Sequence, residues 1–522
     1  MTPKSLRQRA AAGVIWSAVQ MWLVRATTAG AFIIISRQLQ PAEFGLVALA
    51  MSVIAVLQLL SDSGMATYLI RTQDLTERHR STAFWTTTAL AVLLAGVLAA
   101  LAGPLAHLFG EPDLAPVLRW LSLVLVLTGL GSVPTALMRR DMRFKSLAVR
   151  GTIATLVGSV VAIVLALAGA GVWALVAQSL VRGLVNVAIT WSVVRWFPRF
   201  VLDRREARTM LGFGSKLLGV DLLLQTRNRS EEFILAGMGS SALLGLWSVA
   251  NRLVKILQET GSSVVSTVAT PAFAKLQDDR PRLFRAYESA LYTAGLVMFP
   301  AMLFLAVTSP VLVPFLLGDQ WAQTADVAQI VAVTAALGVF SQFDRAVFVA
   351  VGKLRPEVVM VTGIVVVHIA IVLLLVPHGL LWVATGLLLR TLVSVPIRQL
   401  VIQRTVGIPV TSTVKALRVL AAAVVMAVVV WGVDTLLLHS LADWARLLLS
   451  AVLAGTVYLL ALVVLARPVF RRVLGDVRSL RRRRGPAADV TDVTQVASGP
   501  ASAGGATSEV LDVTSDAGGK RA

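Results

Sequence analysis

Apolar stretches of roughly 20 residues, separated by short polar segments, recur from residue 12 to residue 466. A helix of that length is about 30 Å long and crosses the hydrocarbon core of a bilayer. The pattern predicts spans at 12–36, 43–62, 82–103, 115–138, 150–168, 172–195, 211–237, 241–270, 287–315, 324–351, 357–376, 379–402, 414–438 and 441–466, about 14 in all. The first follows Lys4, Arg7 and Arg9, as the apolar core of a signal peptide would. Arg25 interrupts that run and no small-residue cleavage site follows, so it is expected to remain as a span.

The loops test this count separately. Even-numbered loops are basic: Arg71, Arg78 and Arg80; Arg139, Arg140, Arg143 and Lys145; Arg199, Arg204, Arg205 and Arg208. Further on come Lys275, Arg280, Arg282 and Arg285; Lys353 and Arg355; Arg404, Lys415 and Arg418. Odd-numbered loops hold almost no Lys or Arg, Arg37 excepted. Retained positive charge marks the cytoplasmic side, so both termini are expected there. A missed helix would scramble the alternation from that point on.

Composition agrees with this reading. Of 522 residues, 57% are apolar and 15% charged, with a mean hydropathy of +0.79, whereas a soluble chain is about 25% charged. The formal charge of +20 would suggest nucleic acid in a soluble protein. Here most of it sits in loops and in a basic tail ending in the arginine run 481–484, so no nucleic-acid partner is expected. From residue 485 the tail is Ala/Gly/Ser/Thr/Asp-rich without apolar periodicity, and is expected to be disordered. Its basic half is expected to lie on anionic membrane lipids. No cysteine is present, which removes disulfides and thiolate chemistry.

The chain repeats itself. Residues 32–50 resemble 232–250, with Ala42, Gly45, Leu46 and Ala50 recurring 200 positions later as Ala242, Gly245, Leu246 and Ala250. With slight drift, Gly151 matches Gly363, Trp173 matches Trp382, and Arg182 matches Arg390. The expected fold is therefore an all-α integral membrane protein of two six-helix lobes, 1–204 and 205–404, in a pseudo-twofold repeat. An extra helix pair follows at 405–467, and a cytoplasmic tail at 468–522. An even number of helices per repeat brings the second lobe back in the same orientation, with the binding site between the lobes near the midplane.

Ionisable residues inside spans cost at least about 2.5 kcal/mol each and mark functional positions. The first span carries Arg25. The seventh carries Asp221, Arg227, Arg229, Glu231 and Glu232, beside the neutral polar Gln225 and Asn228. Along the eighth, Ser248, Arg252, Lys255, Glu259, Ser262, Ser266 and Thr270 follow spacings of three and four, one helical face. Internal pairing of Lys255 with Glu259 and Arg227 with Glu231 is the structural alternative. It leaves Arg252 and the serines unexplained, so this face is expected to line a polar cavity. Arg182, Asp344, Arg345 and Arg390 are weighed evenly between lining and bracing. His368 is a candidate proton relay, or a hydrogen-bonded core histidine.

No GxxxxGK[ST] loop, HExxH or GxSxG motif is present, and the GxGxxA at 237–242 falls in a tight turn between spans, the wrong context for a dinucleotide fold. No metal or cofactor is expected. All odd loops are short, which disfavours a membrane polymerase or ligase.

Several segments resemble a known family. RQLQPAEFGLVALA (37–50) and DSGMATYLI (62–70) are similar to the opening of polysaccharide transporters in the multidrug/oligosaccharidyl-lipid/polysaccharide flippase superfamily. LMRRDMRFKSLAVRG (137–151), GAGVWALVAQSLV (169–181), PAFAKLQDDRPRLFRAY (271–287) and VPFLLGDQW (313–321) resemble its Wzx-type, colanic-acid-exporter-like branch. The resemblance covers residues 10–467. The family's seventh helix often reads Asn-x-Asp. Here Asn228 is followed by Ser230 at the Asp position, then Glu231 and Glu232, so that aspartate's role does not carry over.

The resemblance implies a non-enzymatic flippase in a bacterial cytoplasmic membrane. Its substrate would be a polyprenyl-diphosphate-linked oligosaccharide, and polysaccharide polymerase and co-polymerase proteins would be its partners. Arg25, Arg227, Arg229, Arg252 and Lys255 are then expected to contact diphosphate and acidic sugars, and Gln225, Asn228, Ser248, Ser262 and Ser266 to bond hydroxyls. Asp221, Glu231, Glu232 and Glu259 are candidates for ion coupling. A lipid II-type flippase, a drug/cation antiporter and a scaffold of the glycan machinery remain as alternatives. An antiporter cavity for organic cations should be acidic, whereas this set holds more cations than carboxylates.

Overall fold

The computed structural model describes the backbone of residues 3–62, 64–276, 279–409 and 411–465. Side chains are described from residue 20 onward, except 62, 215–221, 223–224, 226–228, 260–272, 274–275, 354, 412 and 414. The tail expected to be disordered lies outside the described residues. So do the side chains of Asp221, Arg227, Asn228, Ser262 and Ser266.

The described residues form helices without a strand. In chain order the long ones are α1 (Pro3–Gln38), α2 (Pro41–Asp62), α3 (Glu77–Leu108), α4 (Leu114–Arg140, broken at Ser122), α5 (Phe144–Leu167), α6 (Val172–Val194) and α7 (Arg204–Met238). Then come α8 (Ser241–Lys275), α9 (Arg280–Leu317), α10 (Asp319–Val351, in several pieces), α11 (Leu354–Leu375), α12 (Leu380–Val406), α13 (Thr411–Val433) and α14 (Asp443–Leu465). Eleven are long and apolar enough to cross a membrane. The other three, α1, α7 and α8, are 35 or 36 residues long and carry most of the charges singled out above. This is consistent with the expected 14.

The sequence builds these helices for local reasons. Asp203 caps α7 by accepting from the backbone N–H of Arg205 and Glu206, Ser240 caps α8, and Asp279 caps α9 ahead of Pro281. Hydroxyls inside spans are satisfied on their own helix: Thr87, Ser309 and Thr391 donate to carbonyls four residues back. In hydrocarbon no water would satisfy them.

Helices α2 and α8, which carry the repeat, pack at a glycine pair. A Cβ added to Gly45 would stand 1.7 Å from the Ser241 carbonyl oxygen, and one on Gly245 would stand 1.8 Å from that of Pro41. Pro41 and Ser241 are themselves 200 apart, so the contact is reciprocal, as a twofold axis between the helices requires. Around this pair one apolar cluster runs through both halves of the chain. Leu46, Leu98 and Leu125 belong to it, as do Leu244, Trp247, Trp321 and Val383.

That cluster lies at the end of the odd loops, and polar ties reinforce it there. The Arg37 guanidinium donates to the carbonyls of Leu316 (2.8 Å) and Phe315 (2.5 Å). Trp321 Nε1 donates to Ser36 O (2.8 Å), and the Ser241 N–H donates to Glu111 (2.8 Å). Phe44 and Trp321 meet edge to face at 5.3 Å. At the opposite end, α7 begins beside the first half, with Glu206 3.2 Å from His79 and Phe213 beneath Arg71. The pair α13/α14 is clasped by a two-pronged Arg446–Asp434 ion pair, and Tyr458 donates to Leu296 O on α9.

Candidate functional site

Between the halves lies a cavity of about 300 Å³ bounded by α1, α2, α6 and α8, with Thr28, Gln178, Arg182, Ser248 and Arg252 on its walls. Its two arginines come from different halves and both are exposed to it. Their placement follows from small residues nearby. Gly158 on α5 lets α6 approach until its missing Cβ would be 3.0 Å from Gln178 O and 3.2 Å from Arg182 Cβ. Arg25, also between the halves, donates to Glu259 O on α8 (2.6 Å) and lies 5.9 Å from the Trp22 ring centroid. No carboxylate is among the described residues lining this cavity. Its chemistry suits an anion.

Glu231 and Glu232 of α7 are engaged elsewhere. Glu232 takes Arg229 Nη1 at 2.8 Å and accepts a short hydrogen bond from Ser52 on α2, tying the halves together. Glu231 accepts from Trp247 Nε1 on α8 (2.9 Å), and its other oxygen is 3.0 Å from His368 Nε2 on α11. His368 Nδ1 makes a short contact with Arg390 on α12. Arginine can only donate, so Nδ1 accepts there, while buried Nε2, though 3.0 Å from Glu231, is not in hydrogen-bonding geometry with any described residue. The line Arg390–His368–Glu231–Trp247 therefore joins four helices through one carboxylate.

Not every expected residue joins this centre. Lys255 is exposed and forms no ion pair with Glu259, whose described role is its backbone carbonyl. Gln225, on α7 of the second half, lines a different cavity, whose other lining residues all come from the first half. The repeat mates part company: Arg182 faces the cavity between halves, while Arg390 borders an apolar groove of about 540 Å³ between α11 and α12. Asp344 is fully buried as a brace, taking Arg398 Nε (2.9 Å) and Tyr287 Oη (3.0 Å), while Arg345 beside it is exposed.

Sequence reasoning missed three things. Gln178 completes the cavity wall one turn before Arg182, and that spacing was a usable signal. Arg398 and Glu357, 3.1 Å apart, carry the second half's buried charge. The third is the cavity of about 460 Å³ lined mostly by the first half, where Gln58, Arg139, Arg150, Asn186 and Thr190 converge. From the sequence, Arg139 reads only as one of the basic-loop residues that mark the cytoplasmic side.

Residues 34–326, more than half of the chain, match the family model described as polysaccharide biosynthesis protein. The chain belongs to this polysaccharide biosynthesis family. Among curated relatives, the succinoglycan biosynthesis transport protein ExoT of Rhizobium meliloti is 31% identical over 302 residues, 58% of this chain and 61% of that protein. The lipopolysaccharide biosynthesis protein WzxC of Escherichia coli is 25% identical over 339 residues, 64% and 68% of the two chains. The family member thus spans less than two thirds of ExoT's length. Of solved structures, the lipid II flippase MurJ in an inward closed conformation superposes with a TM-score of 0.70 at 13% identity, covering 87% of this chain and all of that one. An inward-facing multidrug resistance MATE transporter gives 0.56 at 15%, covering 73% and 96%. The fold is that of these transporters.

Proposed function

We propose that this family member is a flippase that carries polyprenyl-diphosphate-linked oligosaccharide units across the cytoplasmic membrane by alternating access of its two halves. The observation that carries the reading is the cavity between halves, where Arg182 and Arg252 face an open volume with no described carboxylate on its walls. A diphosphate brings about two negative charges, and a low-dielectric surround strengthens its attraction to guanidinium. The same site repels the organic cations an antiporter would carry. The names of ExoT and WzxC support polysaccharide as the destination. The apolar groove beside Arg390 offers the prenyl chain a surface continuous with lipid.

In this reading the basic loops and both termini are cytoplasmic, and the odd-loop end faces outward. Glu231, held between His368 and Trp247, is the group whose protonation or sodium binding couples transport to an ion gradient. Polymerase and co-polymerase proteins would receive the product outside.

Deleting the gene should make a lipid-linked oligosaccharide accumulate on the inner leaflet. Arg182→Gln with Arg252→Gln should cut export to background while the protein stays in the membrane at normal level. In vesicles an imposed proton or sodium gradient should drive the wild type only. Full export by the double variant would overturn the site, and absence of any accumulated lipid-linked sugar would overturn the substrate.

A further inference from the structure

We propose that the cavity lined mostly by the first half is a separate loading station that recognises a carboxylate-bearing sugar of the glycan before the diphosphate reaches the cavity between halves. This rests on the flippase reading and adds a second binding site to it.

The cavity lies between α2, the short helix Met65–Arg71, α4, α5, α6 and α7 and measures about 460 Å³, within the range of small-molecule sites. Two guanidiniums, Arg139 and Arg150, line it. No carboxylate is among its described lining residues. Arg150 Nη1 donates to Thr135 Oγ1 (2.7 Å) and Thr190 Oγ1 (2.9 Å), which fixes the guanidinium, while its buried Nε has no hydrogen-bond partner among the described residues. Two guanidiniums on one cavity wall, with no described carboxylate beside them, suit a bound anion.

The rest of the wall tells which anion. Gln58, Thr128, Ser132, Asn186 and Gln225 present hydroxyls and amides, the partners sugar hydroxyls take. The cavity between halves instead carries Phe32, Phe44 and Leu175 around its arginines, which suits the end of the substrate nearest the prenyl chain.

The two cavities are stacked along the same helices. On α2, Met51 lines one and Ala55 the other, about 6 Å further along at the helical rise. On α6, Arg182 belongs to one and Asn186, a single turn on, to the other. The station lined mostly by the first half lies toward the basic-loop end, where a substrate assembled in the cytoplasm arrives. The stations thus hold the acidic sugar and the diphosphate of one headgroup.

The test uses the purified full-length chain in lipid nanodiscs, with saturation-transfer NMR and three probes: glucuronate, glucose and inorganic pyrophosphate. Glucuronate should bind the wild type and Arg252→Gln alike and bind Arg139→Gln about tenfold more weakly, or worse, with glucose weaker throughout. Arg150→Gln should behave like Arg139→Gln. If loss of its two threonine bonds unfolds it, Arg139→Gln, which breaks no described hydrogen bond, decides alone. Glucuronate binding that survives Arg139→Gln, or is lost only in Arg252→Gln, overturns the second station. Pyrophosphate binding lost in Arg139→Gln, with glucuronate unaffected, overturns the sugar assignment. Accumulation of lipid-linked sugar on gene deletion tests the flippase reading itself, whichever way these titrations fall.

Discussion

Arg398 offers one guanidinium to two carboxylates, Nε to Asp344 at 2.9 Å and Nη2 to Glu357 at 3.1 Å, in a part of the second half where Asp344 is wholly buried. Gln399 beside it bonds Phe340 O (3.0 Å) and Thr413 (2.8 Å). The net worth of such a pair is small, because desolvation cancels much of the attraction, but removing one partner strands the other. Arg398→Ala should therefore lower stability by about 3–5 kcal/mol, seen as a lower thermal midpoint in detergent and poorer recovery from the membrane. Arg398→Lys should recover only part of this, since a single ammonium lacks the fork. Arg345→Ala, at the exposed neighbour, should change stability by less than about 0.5 kcal/mol. Equal midpoints for Arg398→Ala and Arg345→Ala would sink the bracing role. The two adjacent charges could not be told apart in the sequence. Which one turns inward depends on Arg398, 54 residues away on another helix.

At the scale of elements, the contact between α2 and α8 was the part most legible beforehand. The repeat offset of 200 pairs Gly45 with Gly245, and the two glycines meet. The reason is steric: only glycine lets two helix backbones approach until a Cβ would overlap a carbonyl. Gly45→Ala should push the helices apart and cost about 1–3 kcal/mol, measurable as a fall in thermal midpoint together with reduced export. Gly96→Ala on α3 meets nothing within 4 Å, and should be neutral or stabilising by about 0.5–1 kcal/mol through helix propensity. If both changes behave alike, close approach at Gly45 is not what holds the halves. Of the polar stripe on α8, Ser248 and Arg252 line the cavity between the halves, Lys255 and Glu259 do not, and the side chains of Ser262, Ser266 and Thr270 lie outside the described residues. The cavity lined mostly by the first half was not legible, since its residues come from six helices, α2, the short helix Met65–Arg71, α4, α5, α6 and α7, and Arg139 stands in a segment that the inside-positive pattern already accounts for.

The whole molecule is fastened at one end. Arg37, Trp321, Glu111 and the apolar cluster close the odd-loop side, while the two cation-lined cavities stack away from it along α2 and α6. A carrier working by alternating access has to break such a closure once per cycle, so covalent reinforcement should stop it without touching either cavity. The chain has no cysteine, so paired substitutions report without background. Arg37→Cys with Leu316→Cys replaces a residue that donates across the closure and the residue whose carbonyl accepts. A membrane-impermeant, reducible bis-thiol reagent added outside intact cells should cross-link the pair and arrest export, and a reducing agent should restore it. Each single variant should export at its own unlinked rate with or without reagent. Cross-linking from outside also requires the odd loops to face outward, as their lack of basic residues predicts. Arrest that reduction reverses would place opening of this end on the transport path. Undiminished export by a fully cross-linked protein would exclude it and leave the halves with some other exit.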